Sequence, residues 1–489
     1  MYIVQIASEC APVIKAGGLG DVVYGLSSEL ERQGHCVEVI LPKYDCMRYD
    51  HVWGMHEAYS DLYVPWYDGE IHCSVQCGWV HGRLCFFIEP HSGDRFFDRG
   101  KVYGDWDDQV RFAFFSKAAL EFLLKSNKRP DVLHCHDWQT GLVPVMLFEM
   151  YQHHGMERQR VCYTIHNFKH QGTWGVDILK ATGLNRAEYY FNAARLLDNG
   201  NPFAINFMKG GIVYSNYVNT VSPHHAWEAR FTDIGCGLQS TLAVHQDKFG
   251  GILNGIEYTI WDPEIDSKIP VNYSIEDFEN KALVKKALRE KLLLAAYDKP
   301  IVAFIGRLDQ QKGMHQVHHA LYYCLEKGAQ FVMLGSATEQ AINDWFWHEK
   351  CFLNDNVDCH LEIGFYEELA HLIYAAADII IVPSNYEPCG LTQIISLKYG
   401  TVPVVRGVGG LVNTVFDWDY DERPREERNG FVFYENDSIA LESALGRAFD
   451  LYRNEPALFE KLAKQGMRCD YSWKKPCEYY LKAYEFIRA

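Results

Sequence analysis

Tyr2-Ile3-Val4-Gln5-Ile6-Ala7 is a short, mostly apolar run, and Lys15-Ala16-Gly17-Gly18-Leu19-Gly20-Asp21 follows it before a helix-like stretch over residues 22–32. An apolar run, a glycine turn and a helix in that order form the opening of a βαβ unit, whose parallel strands are covered on both faces. Working outward, runs of the same character recur at residues 36–41, 132–135, 161–165 and 217–221, each followed by a helical stretch. They resume at 301–305, 330–334, 379–382 and 402–405. Strand signals lapse over residues 258–299, which include Trp261-Asp262-Pro263-Glu264 and turn helical at 281–294. This organisation predicts an α/β chain of two doubly wound, Rossmann-like domains facing a deep cleft, with ligands gathered beyond the carboxyl ends of the strands. There is no internal repeat.

At 489 residues the chain exceeds one ordinary core, and its 48% hydrophobic and 23% charged residues suit a globular protein. Basic residues number 47 against 64 acidic, a net charge of -17. That balance argues against nucleic acid and anionic membrane as partners, so any anionic substrate requires a local concentration of cations. No apolar run approaches the roughly 20 residues of a membrane helix. The start, Met1-Tyr2-Ile3-Val4-Gln5-Ile6, has no basic leader pattern. Fifteen scattered cysteines, with Cys73 and Cys77 the tightest pair, fit reduced thiols and a cytoplasmic or plastid-stromal location.

Four loops carry candidate chemistry, each just past an expected strand. Gly17 and Gly18 permit close backbone approach to a ligand, the following helix offers amides to a phosphate, and Lys15 adds a charge. The same glycines also suit a plain turn, and a dinucleotide fingerprint fails because Val23 stands where its third glycine belongs. His134-Cys135-His136-Asp137-Trp138 and His166-Asn167-Phe168 offer short polar groups and an apolar ring to a sugar. His134, His136 and Asp137 are possible metal ligands, but no further His or Cys completes a set, and no metal is expected. Gly306-Arg307-Leu308-Asp309-Gln310-Gln311-Lys312-Gly313 brings two cations, one at a strand end and one opening a helix, in position to grip a diphosphate. Pro383-Ser384-Asn385-Tyr386-Glu387-Pro388-Cys389-Gly390-Leu391-Thr392 adds a helix start near Leu391, with Glu387 either facing a sugar or capping the helix. Asp105-Trp106-Asp107 and Asp417-Trp418-Asp419 have a metal-binding Asp-x-Asp form but close no strand, so both are read as solvated acidic loops.

In this order and spacing the loops, with Leu253-Asn254-Gly255-Ile256 and the closing Tyr471-Ser472-Trp473, resemble bacterial glycogen synthases and plant starch synthases of the GT-B fold. The resemblance covers nearly the whole chain, and His166 to Gly172 is similar to cyanobacterial and soluble starch synthase members. It implies transfer of glucose from ADP-glucose to the non-reducing end of an α-1,4-glucan (glycogen, starch or a maltooligosaccharide) with retained configuration and no cofactor. It also implies an N-terminal acceptor domain over 1–258 completed by a C-terminal helix in 471–489, and a donor domain over 259–470. Carried over by residue, Lys15, Gly17, Gly18, Asp21, Tyr103 and Asn254 serve the donor, and Phe365 stacks on adenine. Arg307 and Lys312 stabilise the leaving diphosphate, while Glu387, Cys389, Gly390, Leu391 and Thr392 contact the donor sugar and phosphate. His166 and Asp137 lie beside the anomeric carbon, and Asp137, Trp138 and Asn167 serve the acceptor. Some related transferases carry Glu-x7-Glu, but the second position here is Ile395, so front-side attack is expected instead of a covalent intermediate. A pyridoxal-dependent phosphorylase, a sucrose-type transferase and a silent glucan-binding scaffold are the rival classes. The scaffold has no need of Arg307, Lys312 and Glu387 together.

Overall fold

Every apolar run singled out above is a strand in the computed structural model, which describes all 489 residues. Packing divides the chain into two units, Met1–Gly255 joined by Trp473–Ala489, and Ile256–Ser472.

The first unit is built on nine strands. They are β1 (Tyr2–Ile6), β2 (Cys36–Pro42), β3 (Trp53–Trp66), β4 (Gly69–Val80), β5 (Arg83–Pro90), β6 (Val132–His136), β7 (Arg160–Ile165), β10 (Tyr217–Thr220) and β11 (Phe249–Gly251). A small separate pair, β8 (Thr173–Gly175) and β9 (Ala204–Asn206), pairs antiparallel. The sheet runs β11-β10-β7-β6-β1-β2-β5-β4-β3, parallel except where β4 pairs antiparallel with both β5 and β3. The second unit holds six parallel strands in the order β14-β13-β12-β15-β16-β17: β12 (Ile301–Ile305), β13 (Gln330–Gly335), β14 (Cys359–Ile363), β15 (Ile379–Val382), β16 (Val402–Arg406) and β17 (Phe431–Phe433).

Each parallel sheet reverses its winding once. In the first unit the order departs one way from β1 and the other way from β6, and in the second it departs from β12 and β15. Helices leaving opposite faces at such a point part the loops above it, which makes the carboxyl ends of β1 with β6, and of β12 with β15, the natural ligand positions in each sheet. The four candidate loops follow these four strands and β7, beside β6.

Helix Gly18–Arg32 buries Leu19, Val22, Val23, Leu26 and Leu30, the stripe its spacing predicts. It begins four residues before the expected start, because Gly17 in extended conformation is its N-cap and Gly18 to Asp21 form its first turn. C-terminal helix Lys474–Arg488 buries Cys477, Tyr480, Tyr484 and Ile487 against Ile3, Val22, Leu26, Val132 and Cys162. Each such buried side chain contributes about 1.5–3 kcal/mol, enough to hold the helix to this unit's core.

The antiparallel extension β3–β5 has no counterpart in the sequence reading. β3 is largely exposed, and its register against β4 shifts three times, so a strict alternation never develops. Its turns carried the usable signal. His81-Gly82 takes two positive φ values, 49° and 85°, between β4 and β5, as a tight hairpin demands. No helix is long and apolar enough to cross a membrane.

Candidate active site

In the second unit the loops after β12 and β15 lock together. Gly313 takes φ 71°, and a Cβ there would meet the Pro383 carbonyl oxygen at 2.2 Å, so only glycine lets the loops approach this closely. Asn385 N–H donates to the Gln311 carbonyl (2.8 Å), and its side-chain amide donates to the Gln310 carbonyl (2.6 Å). The contact places Lys312 Nζ 2.5 Å from Glu387 Oε2, and the Ser384 hydroxyl donates to the same oxygen at 2.8 Å. Glu387 is therefore paired, not capping: the N-cap of Thr392–Lys398 is Leu391. Lys312 does not open a helix either. It closes the short turn Gln310–Lys312, capped by Asp309, and the helix Met314–Glu326 begins after Gly313.

Arg307 stands more open, its guanidinium 3.2 Å from Gln311 Oε1 and 3.3 Å from Asp309. Cys389 is buried and Gly390 takes φ 75°. Gln393, which the sequence reading passed over, fixes this turn by donating to the carbonyls of Cys389 (3.0 Å) and Gly390 (2.8 Å). The Thr392 hydroxyl reaches the Ile305 carbonyl at the end of β12 (3.4 Å). Phe365, just past β14, is 74% exposed. Such exposure of a phenyl ring suits a stacking surface better than a core role.

In the first unit the loop after β1 turns on Glu9, another residue the sequence reading missed. Its buried carboxylate accepts from the amides of Ala16 (2.5 Å) and Gly17 (2.9 Å) and from the Tyr103 hydroxyl (2.6 Å), which in turn accepts from Ser8 (2.7 Å). Burial pushes the Glu9 carboxyl upward against these three donors. The signal available was its position, a polar residue just past a strand end like the others. The Gly17 amide is thus engaged within the loop, which corrects the expectation that it stands ready for a phosphate. A Cβ at Gly17 would meet nothing within 4 Å, so the space beside it is open. Lys15 pairs with Asp21 at 2.8 Å. Asn254 is 4% exposed, and its Oδ1 is a buried acceptor with no partner in the protein.

Asp137 directly follows β6 at φ 54°, ψ −176°, a region that costs a non-glycine residue about 1–3 kcal/mol and persists only when its surroundings impose it. Here Oδ1 accepts from the amides of His166 (2.7 Å) and Asn167 (3.4 Å), tying the ends of β6 and β7 together. Burial lifts this carboxyl to about 7, the two amides offsetting part of the effect. Burial likewise lowers His166, whose Nε2 lies 3.0 Å from His136 Nδ1. The Asn167 carbonyl accepts from Lys169 N–H (3.0 Å), leaving its NH2 group to donate.

Two expectations are corrected. Trp138 offers no face to a sugar: it is 7% exposed, edge-on to Phe112 at 5.5 Å and against Phe207. The Asp-x-Asp pairs are only partly solvated: Asp419 is exposed, but each pair buries one carboxylate. Asp107 is buried against Arg99 (2.5 Å), and Asp417 is buried against Arg447 (2.8 Å).

Among solved structures, the chain matches the catalytic domain of starch synthase IV from Arabidopsis thaliana, solved with ADP and acarbose, at a TM-score of 0.97. The identity is 42%, covering 100% of this chain and 99% of that one. A sucrose-phosphate synthase from Thermosynechococcus elongatus, 18% identical with a TM-score of 0.62 over 99% and 98% of the chains, shares the fold. Two doubly wound α/β units with these loops define a glycosyltransferase of the GT-B class. A starch synthase catalytic domain model matches residues 2–244 and a group 1 glycosyl transferase model residues 285–465. A probable glycogen synthase 2 from Synechocystis sp. is 70% identical and a glycogen synthase 1 from Trichormus variabilis 71% identical, over 100% of this chain and 99–100% of theirs. The chain belongs to the glycogen and starch synthase family, glucosyltransferases that lengthen a storage α-glucan from a nucleotide sugar.

Proposed function

We propose that the nucleotide sugar is ADP-glucose and that glucose passes to the non-reducing 4-hydroxyl of an α-1,4-glucan with retained configuration. The observation that carries this reading is the locked pair of loops at the β12/β15 reversal, where Arg307, Lys312 and Glu387 stand at one carboxyl edge with exposed Phe365 nearby in sequence order past β14. The ADP held by the starch synthase IV relative supports adenine as the base. In this reading Arg307 and Lys312 meet the diphosphate, Phe365 stacks on adenine, and Glu387, Cys389 and the Gly390, Leu391 and Thr392 amides face the phosphate and glucose. Lys15, Gly18, Asp21, Tyr103 and Asn254 also serve the donor, Gly17 contributes the open space beside it and not its amide, and Glu9 shapes the Lys15 loop.

The step begins as the bond from C1 to the phosphate oxygen breaks, the diphosphate leaving with the electron pair. Two cations stabilise a charge that grows as this bond breaks, so they act on the transition state more than on the ground state. The acceptor 4-oxygen then bonds to C1 on the same face, and its proton passes to the departing phosphate oxygen. Asp137 and His166 flank the anomeric carbon, and Asp137 and Asn167 hold the acceptor. Trp138 supports this strand end from the core. The reaction is assigned to the cytoplasm, or to the plastid stroma in a plant or algal cell.

The test is initial-rate assay with ADP-glucose and UDP-glucose on maltoheptaose, using the wild type and Glu387→Ala. Transfer from ADP-glucose at least tenfold faster than from UDP-glucose, and its collapse in a folded Glu387→Ala variant, is expected. A preference for UDP-glucose overturns the donor assignment, and a trapped glucosyl adduct on Glu387 or Asp137 overturns front-side attack.

A further inference from the structure

β6 is wholly buried, and its alternation puts His134 and His136 on one face, their rings stacked with centroids 4.3 Å apart. All four ring nitrogens are engaged. His134 Nδ1 lies 2.7 Å from the Tyr484 hydroxyl and Nε2 2.7 Å from the Thr164 hydroxyl. His136 Nε2 lies 2.7 Å from Gln5 Oε1, and Nδ1 is 3.0 Å from His166 Nε2. Two hydrogen-bonded groups, Tyr484–His134–Thr164 and Gln5–His136–His166, therefore lie side by side across the stacked rings, between the C-terminal helix and the end of β7.

Its protons can be placed. The Asn219 amide donates to the Tyr480 hydroxyl (3.1 Å) and the Thr220 carbonyl (3.3 Å), so Asn219 Oδ1 is the acceptor for the Thr164 hydroxyl (2.9 Å). Thr164 has then spent its hydrogen and accepts from His134 Nε2–H. His134 is held neutral by burial, its value pushed down to about 3, so its bare Nδ1 accepts from Tyr484. The same bookkeeping governs the second ring. The Gln5 carbonyl accepts from His136 Nε2–H, and neutral His136 keeps a bare Nδ1. That nitrogen can only accept, so His166 must donate through Nε2–H. His166 is left with Nδ1 as its one acceptor.

We propose that His136 is a positioning residue for glucosyl transfer: it holds His166 in the Nε2–H tautomer with a bare Nδ1 that accepts a hydroxyl of the transferred glucose. The proposal rests on the reading above that His166 meets the sugar. A rotating or doubly protonated imidazole would offer a donor at the same place and misplace the ring. Misplacement of about 1 Å at a reacting centre costs on the order of 10²-fold in rate. The two arms of His136 can be separated chemically, because asparagine puts an acceptor where Nδ1 stands and glutamine puts an amide where Nε2 stands.

The experiment compares His136→Asn, His136→Gln and His166→Ala by steady-state kinetics on maltoheptaose, and reads the imidazole ¹⁵N shifts of His166 in histidine-labelled wild type. In the wild type, His166 is expected to be protonated at Nε2 alone. His136→Gln should lose about 10²-fold in kcat with KM for both substrates within about threefold, and His136→Asn should recover to within about tenfold of wild type. A wild-type His166 protonated at Nδ1, or mixed between tautomers, overturns the proposal without reference to any variant. So does a His136→Gln variant of normal kcat beside an inactive His166→Ala. If His166→Ala is itself fully active, the assignment of His166 to the sugar falls instead.

Discussion

Lys312→Met removes the ammonium from a pair whose side chains are only 16% and 6% exposed and whose charged atoms lie 2.5 Å apart. At that separation two unit charges attract by roughly 6–7 kcal/mol at an effective dielectric near 20, but each ion also lost several kcal/mol of hydration on burial. The net worth of the pair is therefore far below the raw attraction. Removing one partner is another matter: Glu387 keeps its burial and only the Ser384 hydroxyl, and stranding a buried charge in this way costs about 3–5 kcal/mol. Lys15–Asp21 is the internal control. Its contact is also short, 2.8 Å, but the side chains are 37% and 31% exposed, and such a pair is worth about 0–1 kcal/mol.

Urea denaturation of the full chain reads both. Lys312→Met should lose about 3–5 kcal/mol and Lys15→Met no more than about 1, with added salt diminishing the second effect and sparing the first. The double variant Lys312→Met/Glu387→Gln should lose clearly less than the sum of its single changes, because it strands no charge. ADP should raise the midpoint of the wild type and not that of Lys312→Met. A Lys312→Met cost below about 1 kcal/mol, or strict additivity with Glu387→Gln, would refute the claim that this pair is coupled and dry.

Asp137, lifted by burial to about 7, is fully ionised only above that pH, so kcat should climb through neutrality in the wild type and be low and flat in Asp137→Asn. A carboxyl raised in the folded state lends stability that is complete below its ordinary value near 4 and is lost as pH rises through about 7. The melting temperature of the wild type should therefore fall relative to Asp137→Asn across that window, and parallel curves would contradict the shift. Phe365→Ala should raise KM for the nucleotide sugar about 5–10-fold, the worth of one stacked ring, with the melting temperature unchanged because the side chain is exposed; an unaltered KM removes the residue from the donor site. Trp138→Ala should cost about 3–5 kcal/mol in urea without weakening glucan binding, and the reverse pattern would restore the ring as a sugar platform.

What the amino-acid sequence determined by itself is the chain's α/β character and the address of its loops. A parallel strand buried on both faces needs an unbroken apolar run, which is a local property, so β1, β2, β6, β7, β10, β12, β13, β15 and β16 could each be located from a few neighbouring letters. Residues past those strand ends, from Lys15 to Glu387, were legible for the same reason. The exposed ribbon β3–β4 was not, because half-wet, bulged strands leave no continuous run.

Only the tertiary structure decided which of those residues meet. Lys312 and Glu387 are 75 positions apart, His136 and His166 are 30 apart, and Glu9 reaches a tyrosine 94 positions away. It also decided which are dry: Trp138 looks like a sugar platform and Asp107 like part of a solvated loop in the sequence, and they prove to be packing and ion-paired scaffold. The physical reason is that burial, pairing and the shifts in proton affinity that follow depend on what stands opposite a side chain. That neighbour is chosen by the winding of the sheets, not by the residues beside it in the chain.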